Sequence, residues 1–240
     1  MAVFILVAGA WHGGWCWERV VPLLEATGHR ALAPDLLGMG DDTTSPERLS
    51  LSVWADQVAD LVRAQDQPVV LVGHSRSGTV ISEVAERVPE RVAMLVYLAA
   101  FLLPSGESIG SMSARMGPST SGDLLVTRPD GSVTVRPERV GPVFYNTTEP
   151  EWVERAISLL RPEPLVAMSG PVSLTDARYG SVRRAYIECE DDQAVKIALQ
   201  RMMLEGLPCD PVMTLPGDHS PFYSDVEALV ACLESIAAQA

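Results

Sequence analysis

Val69-Val70-Leu71-Val72-Gly73-His74-Ser75-Arg76-Ser77-Gly78 reads as a buried strand that runs straight into a tight turn. An unbroken apolar run suits a strand covered on both faces. Beyond the turn, Ile81, Val84, Ala85 and Val88 keep the i, i+3, i+4, i+7 spacing of a helix packed by one side. Strand, sharp turn and helix in that order lift the middle of the turn above the edge of a sheet, so Ser75 is nominated as a nucleophile. Such turns favour the spacing G-x-S-x-G. Here the last position holds Ser77, and Gly78 follows at once.

Working outward, apolar runs recur at Val3–Ala8, Arg30–Ala33, Val92–Ala100, Arg184–Cys189 and Val212–Leu215. Helical periodicity separates them, as at Val226, Leu229, Val230 and Leu233. The alternation predicts an α/β fold: a mostly parallel sheet with helices on both faces. Right-handed crossovers then gather the strand C-terminal ends on one rim, where ligands bind. The alternation lapses between Leu103 and Gly180, where Pro, Gly and Ser are frequent. The chain therefore divides into a first core part at 1–102, an inserted cap or lid at 103–180, and a second core part at 181–240. Within the insertion, Leu124–Val135 alternates around Asp130-Gly131 as a hairpin, and Pro150–Leu160 reads as an amphipathic helix opened by proline. A lid over the rim would shed water and supply apolar walls.

A chain of 240 residues, 47% apolar, suits one domain with a sizeable core. Its formal net charge of -13 repels phosphate backbones and anionic bilayers, so nucleic acid and membrane are excluded as partners. A small neutral or mostly apolar substrate is expected, and a homodimer is compatible with the composition. Met1–Val7 has no basic segment and is too short to span a bilayer, so it reads as the first strand of a cytoplasmic protein. Cys16, Cys189, Cys209 and Cys232 lack metal-ligand spacing, and neither a disulfide framework nor a metal is expected.

A serine hydroxyl is a weak nucleophile, so Ser75 needs an imidazole to take its proton and an acid to orient that imidazole. Of the four histidines, His29 reads as a turn residue, His74 points away from the nucleophile, and His12 shapes the first strand-to-helix loop. His219 follows the last strand in Gly217-Asp218-His219-Ser220, on the rim. Glu190, Asp191 and Asp192 leave the preceding strand together, and all three compete for the role of acid. Asp218 ranks lower, because sequence neighbours rarely orient correctly. The developing oxyanion needs two backbone donors, expected from the amides of Ala10 and Arg76. Trp15 and Trp17 read as core, and the Arg76 side chain is expected to reach solvent or a carboxylate behind the turn.

These pieces together resemble the esterase and hydroxynitrile lyase branch of the α/β-hydrolase family, with its plant methylesterases and bacterial pyrethroid-hydrolase-like carboxylesterases. Gly73–Gly78 resembles the family's nucleophile elbow, and the order Ser75, acid, His219 is the family's order. The resemblance is also carried by Gly9-Ala10-Trp11-His12-Gly13-Gly14-Trp15 with Trp17, Pro22-Leu23-Leu24-Glu25, Gly28-His29, Ala33–Gly40, Tyr186-Ile187-Glu188 and His219-Ser220-Pro221-Phe222. It places the acid a few residues past its strand with a helix just after, which favours Asp192. Hydroxynitrile lyases of this branch carry Lys after the catalytic His and Thr in the oxyanion loop. This chain has Ser220 and Gly9 there, which implies hydrolysis.

The resemblance implies a cofactor-independent carboxylic ester hydrolase working through an acyl-enzyme on a small ester. The alternatives are a same-fold carbon–carbon bond hydrolase, lactonase, cyclase or hydroxynitrile lyase, and a non-catalytic small-molecule receptor. Trp11, His12, Phe144, Tyr145, Trp152 and Phe222 are the candidate substrate contacts, with Met112 and Met116 as further apolar lid residues.

Overall fold

The computed structural model describes residues 1–115 and 124–240, so Met116 lies outside the described residues. Six strands form the main sheet: β1 (Val3–Val7), β2 (Arg30–Leu32), β3 (Val69–His74), β4 (Val92–Leu98), β8 (Arg184–Cys189) and β9 (Val212–Leu215). Their order is β2-β1-β3-β4-β8-β9, and every pairing is parallel. The side-chain period of two splits each strand between two apolar layers. Along β1, Val3, Ile5 and Val7 face one cluster, and Phe4, Leu6 and Ala8 face the other. The first cluster is closed by α2 (Leu51–Arg63), α3 (Ser77–Arg87) and α8 (Ile197–Gly206). The second is closed by α1 (Val20–Ala26), α9 (Pro221–Ser224) and α10 (Val226–Ala237). Each side chain buried in this way contributes roughly 1.5–3 kcal/mol, so the two layers hold the sheet.

The chain steps from β1 outward to β2, then returns to place β3 on the other side of β1. The strand order therefore reverses between β1 and β3, which opens a crevice at their C-terminal ends. Ser75 follows β3 there, and Gly9-Ala10 follows β1. Strand limits differ slightly from the apolar runs. β3 extends to His74, whereas β4 stops at Leu98 because Ala99 takes φ 43 and leaves the extended region.

Between β4 and β8 lie α4 (Ile109–Ala114), β5 (Leu125–Thr127), β6 (Ser132–Val135), α5 (Pro137–Phe144), α6 (Pro150–Leu159), β7 (Glu163–Pro164) and α7 (Leu165–Ser169). β5 and β6 form the expected hairpin, with Gly131 at φ 79 in its turn. β7 adds a third antiparallel strand that the apolar pattern does not announce, since it is only Glu163-Pro164. The insertion's buried residues join the two layers of the sheet: Val133, Val140 and Ala156 one, Met112 and Ala167 the other. Met112 is thus a core residue rather than a pocket wall. No helix among the described residues is long and apolar enough to cross a membrane.

Candidate active site

Ser75 sits at φ 54, a left-handed conformation that costs a non-glycine residue about 1–3 kcal/mol unless its surroundings hold it. They do: its amide donates to Leu98 O at 3.1 Å, and its carbonyl accepts from Gly78 N at 3.1 Å and Phe101 N at 3.0 Å. The glycines of the turn are explained by close approach. A Cβ at Gly73 would lie 2.6 Å from Ser77 O, and one at Gly78 only 2.2 Å from Phe101 O. Position 77 has room for a side chain and uses it: Ser77 Oγ donates to Ala8 O at 2.5 Å and accepts from Arg76 Nη1 at 2.7 Å. The departure from G-x-S-x-G is therefore a tie between the turn and the end of β1. Ser75 Oγ makes no hydrogen bond among the described residues and faces the cavity.

His219 Nδ1 and Asp192 Oδ2 meet at 2.7 Å in a buried site. Asp192 is held by the backbone after β8: its Oδ1 accepts from Ala194 N at 2.7 Å and Val195 N at 2.8 Å, and Gln200 Nε2 reaches Oδ2 at 3.3 Å. The competing carboxylates are elsewhere. Asp191 is exposed and accepts from Asn146 Nδ2 at 3.0 Å, and Glu190 lies 3.7 Å from Arg201. Asp218 is buried but tied to the insertion, accepting from Thr147 N at 2.9 Å and Thr148 Oγ1 at 2.8 Å. His74, beside the nucleophile in sequence, donates from Nε2 to the His219 carbonyl at 2.8 Å and so spaces that loop from the elbow. Burial, with the neighbouring His219 second, pushes the His74 imidazole well below its usual range and keeps it neutral.

The β1 loop is shaped by what lies beneath it. A Cβ at Gly9 would stand 2.7 Å from His74 Nδ1 and 3.0 Å from Ser75 Cβ. The amides of Ala10 and Arg76 donate to no protein group among the described residues, and both residues line the cavity beside Ser75. Trp11, at φ 64, is clamped by the insertion on three sides. Its amide donates to Glu163 Oε2 at 2.6 Å, its indole to Val133 O at 3.1 Å, and its carbonyl accepts from Arg161 N at 3.0 Å.

Of the two expected destinations, solvent or a carboxylate, the Arg76 side chain takes the carboxylate, which comes from Glu163 of the insertion. Its Nε donates to Glu163 Oε1 at 2.9 Å, its Nη2 to Gly9 O at 3.1 Å, and its guanidinium lies 4.4 Å over the Trp54 ring. Arg76 is 1% exposed and Glu163 0%. Burial raises the Glu163 carboxyl above its usual range, and Arg76 and the Trp11 amide pull the other way. Glu163 is thus bonded to the two residues that flank the free amides. Sequence reasoning missed it, although Pro162-Glu163-Pro164 is a local signal: two prolines hold a charged residue in extended backbone.

A cavity of about 380 Å³ opens over Ser75, with Phe101, Leu124, Val143, Phe144 and Met168 among its apolar walls. Trp11 and Phe144 line it as expected. His12, Tyr145, Trp152 and Phe222 do not, and the reason is packing. Phe222 is wholly buried against Trp17 and His74, at ring separations of 5.4 and 5.1 Å. Trp152 faces the outer surface between Tyr223 and Arg19. His12 and Tyr145 hold each other under the β1 loop. Tyr145 Oη donates to His12 Nε2 at 2.5 Å, and His12 Nδ1 donates to Ala10 O at 2.6 Å, fixing the peptide that carries the Trp11 amide.

Burial pushes the His12 imidazole down to about 4. The unfolded chain protonates near the ordinary histidine value and the folded one only near 4, so stability is complete above about pH 6.5 and lost as pH falls towards 4. The expected loss attributable to His12 is about 3 kcal/mol. Urea unfolding of wild type and His12→Asn across that interval should show a shallower acid slope in the variant. Equal slopes would mean that His12 titrates normally.

Residues 4–231 match the model of the alpha/beta hydrolase family. Methyl jasmonate esterase 1 of Vitis vinifera is 30% identical over 97% of this chain and 95% of its own length. Salicylic acid-binding protein 2 of Nicotiana tabacum is 31% identical over 98% and 96%. Among solved structures, a pyrethroid hydrolase superposes with a TM-score of 0.87 at 30% identity, over 99% of this chain and 97% of that one. Similarity of this extent, carried along nearly the full length of both partners, means that the chain belongs to the alpha/beta hydrolase family.

Proposed function

We propose that the protein is a carboxylic ester hydrolase in which Ser75 is the nucleophile, His219 the general base and then acid, and Asp192 the group that orients the imidazole. The observation that carries this is the buried 2.7 Å contact between His219 Nδ1 and Asp192, with the His219 ring 4.5 Å from that of His74, the residue before a serine held at φ 54. With Nδ1 protonated and bonded to the carboxylate, Nε2 is left as the base. Ser75 Oγ adds to the ester carbonyl as its proton passes to Nε2, and the amides of Ala10 and Arg76 stabilise the tetrahedral oxyanion. The imidazolium then protonates the departing alkoxide, leaving an acyl group on Ser75. Water, deprotonated by His219, releases the acid and restores the serine.

Residues 103–180 act as the lid in this reading, supplying apolar walls that keep water from the acyl group until it is admitted. Relatives named for esterase and pyrethroid hydrolase activity support a small organic ester as substrate. The hydroxynitrile lyase alternative is disfavoured, because a threonine in place of Gly9 would drive its Cβ into the His74 ring. A fluorophosphonate separates a catalyst from a non-catalytic receptor. It should add one phosphonyl group to Ser75, located by peptide mass, with parallel loss of hydrolysis of a short aryl ester. An unmodified Ser75 under saturating reagent would overturn the assignment.

A further inference from the structure

Among the described residues, the charged side chains that line the cavity are of one sign. Among the described lining residues are Arg76, Arg139 and Lys196, and none is Asp or Glu. In a chain with 31 acidic and 18 basic residues, this is an inversion of the overall balance. Arg76 is already matched by Glu163 at 2.9 Å. Arg139, on α5, and Lys196, at the start of α8, have no ion pair or side-chain hydrogen bond among the described residues. Arg139 Nε is buried without any partner, a state that costs free energy unless something completes it.

Lys196 is the only lysine in the sequence, and it caps the N-terminus of α8. A cation there opposes the helix dipole, so its position does nothing for the helix. It stands in the same loop that carries Asp192, four residues on, and the intervening Gln193, Ala194 and Val195 also line the cavity. Two uncompensated cations thus face the space above Ser75 from opposite parents, one in the insertion and one in the core loop.

We propose that Arg139 and Lys196 form an anion subsite, and that the preferred substrates are esters bearing a free carboxylate away from the scissile bond. Half-esters of dicarboxylic acids and esters of hydroxybenzoates are of this class. The proposal rests on the esterase assignment above and narrows it. The negative surface does not forbid it, because charges elsewhere on the surface are screened within about 10 Å, whereas half-buried Arg139 and exposed Lys196 at the cavity would meet the ligand at contact. Hydrolysis itself is unchanged: water adds across the acyl–oxygen bond to give acid and alcohol.

Two matched pairs test it: para-nitrophenyl valerate against mono-para-nitrophenyl glutarate, and phenyl acetate against para-acetoxybenzoate. They place the carboxylate on the acyl and alcohol sides respectively. In at least one pair, kcat/KM should favour the anionic member by about tenfold, and the preference should shrink at about 0.5 M salt. In the Arg139→Gln/Lys196→Gln double variant the ratio should fall to near one. Because the ratio is taken within each protein, partial misfolding cancels. Hydrolysis of the neutral esters with no anionic preference in either pair overturns the subsite and leaves the esterase assignment standing. If no ester is turned over and Ser75 resists the fluorophosphonate, the esterase assignment fails instead. Calorimetry with glutarate then reads the subsite alone: binding weakened in the double variant supports it, and binding equal in both proteins or absent from the wild type overturns it.

Discussion

Replacing Ser75 with alanine is expected to lower ester turnover by roughly four to six orders of magnitude, leaving only what the oxyanion amides and binding supply. The fold should be untouched. Ser75 Oγ makes no hydrogen bond among the described residues, and the backbone at φ 54 is held by its bonds to Leu98, Gly78 and Phe101, which alanine retains. Thermal unfolding of Ser75→Ala should therefore match wild type. Release of para-nitrophenol from a short ester, measured on the same sample, gives the rate. Turnover near the wild-type level with an intact melt would remove Ser75 from the mechanism.

Glu163→Ala is expected to destabilise the protein by about 3–5 kcal/mol, because it strands the Arg76 guanidinium, 1% exposed, without its counter-charge. It also deprives the Trp11 amide of its acceptor at 2.6 Å, so a residue held at φ 64 is freed to relax. The amides of Ala10 and Arg76, proposed as oxyanion donors, lie next to groups bonded by this carboxylate, so kcat should fall more than KM rises. Urea unfolding gives the stability, and a double variant sorts the causes. Arg76→Met with Glu163→Leu removes both charges and should recover much of the stability. The recovered fold should still be slow, since the Trp11 amide then lacks its acceptor and only His12, through Ala10 O, holds that peptide. A double variant with both stability and kcat restored would show that Glu163 merely neutralises Arg76.

Much of the fold was legible because strands and helices are encoded locally. The apolar run at Val69–Val72 and the i, i+3, i+4 pattern from Ile81 onward define β3 and α3 without reference to distant residues. Gly131 marks the hairpin for the same reason, supplying a positive φ at its turn. Chain order along a parallel sheet also sends Asp192 and His219 to one rim, where the structure joins them at 2.7 Å. The pocket was less legible. Aromatic character made His12, Tyr145, Trp152 and Phe222 candidates, yet whether an aromatic ring faces a cavity, a core or the surface depends on its packing partners.

The α/β architecture, the tight turn at Ser75 and the short list of imidazoles and carboxylates proposed to act on it follow from the amino-acid order alone, because each rests on periodicity, turn chemistry or chain order. Tertiary packing was needed to bring Arg76 to Glu163, 87 residues away, to tie Ser77 of the elbow to the end of β1, and to set Arg139 and Lys196 around the same cavity. Those contacts join the insertion to the rim of the sheet. No local pattern specifies them, since a buried charge declares its partner only when packing has removed the water that would otherwise serve.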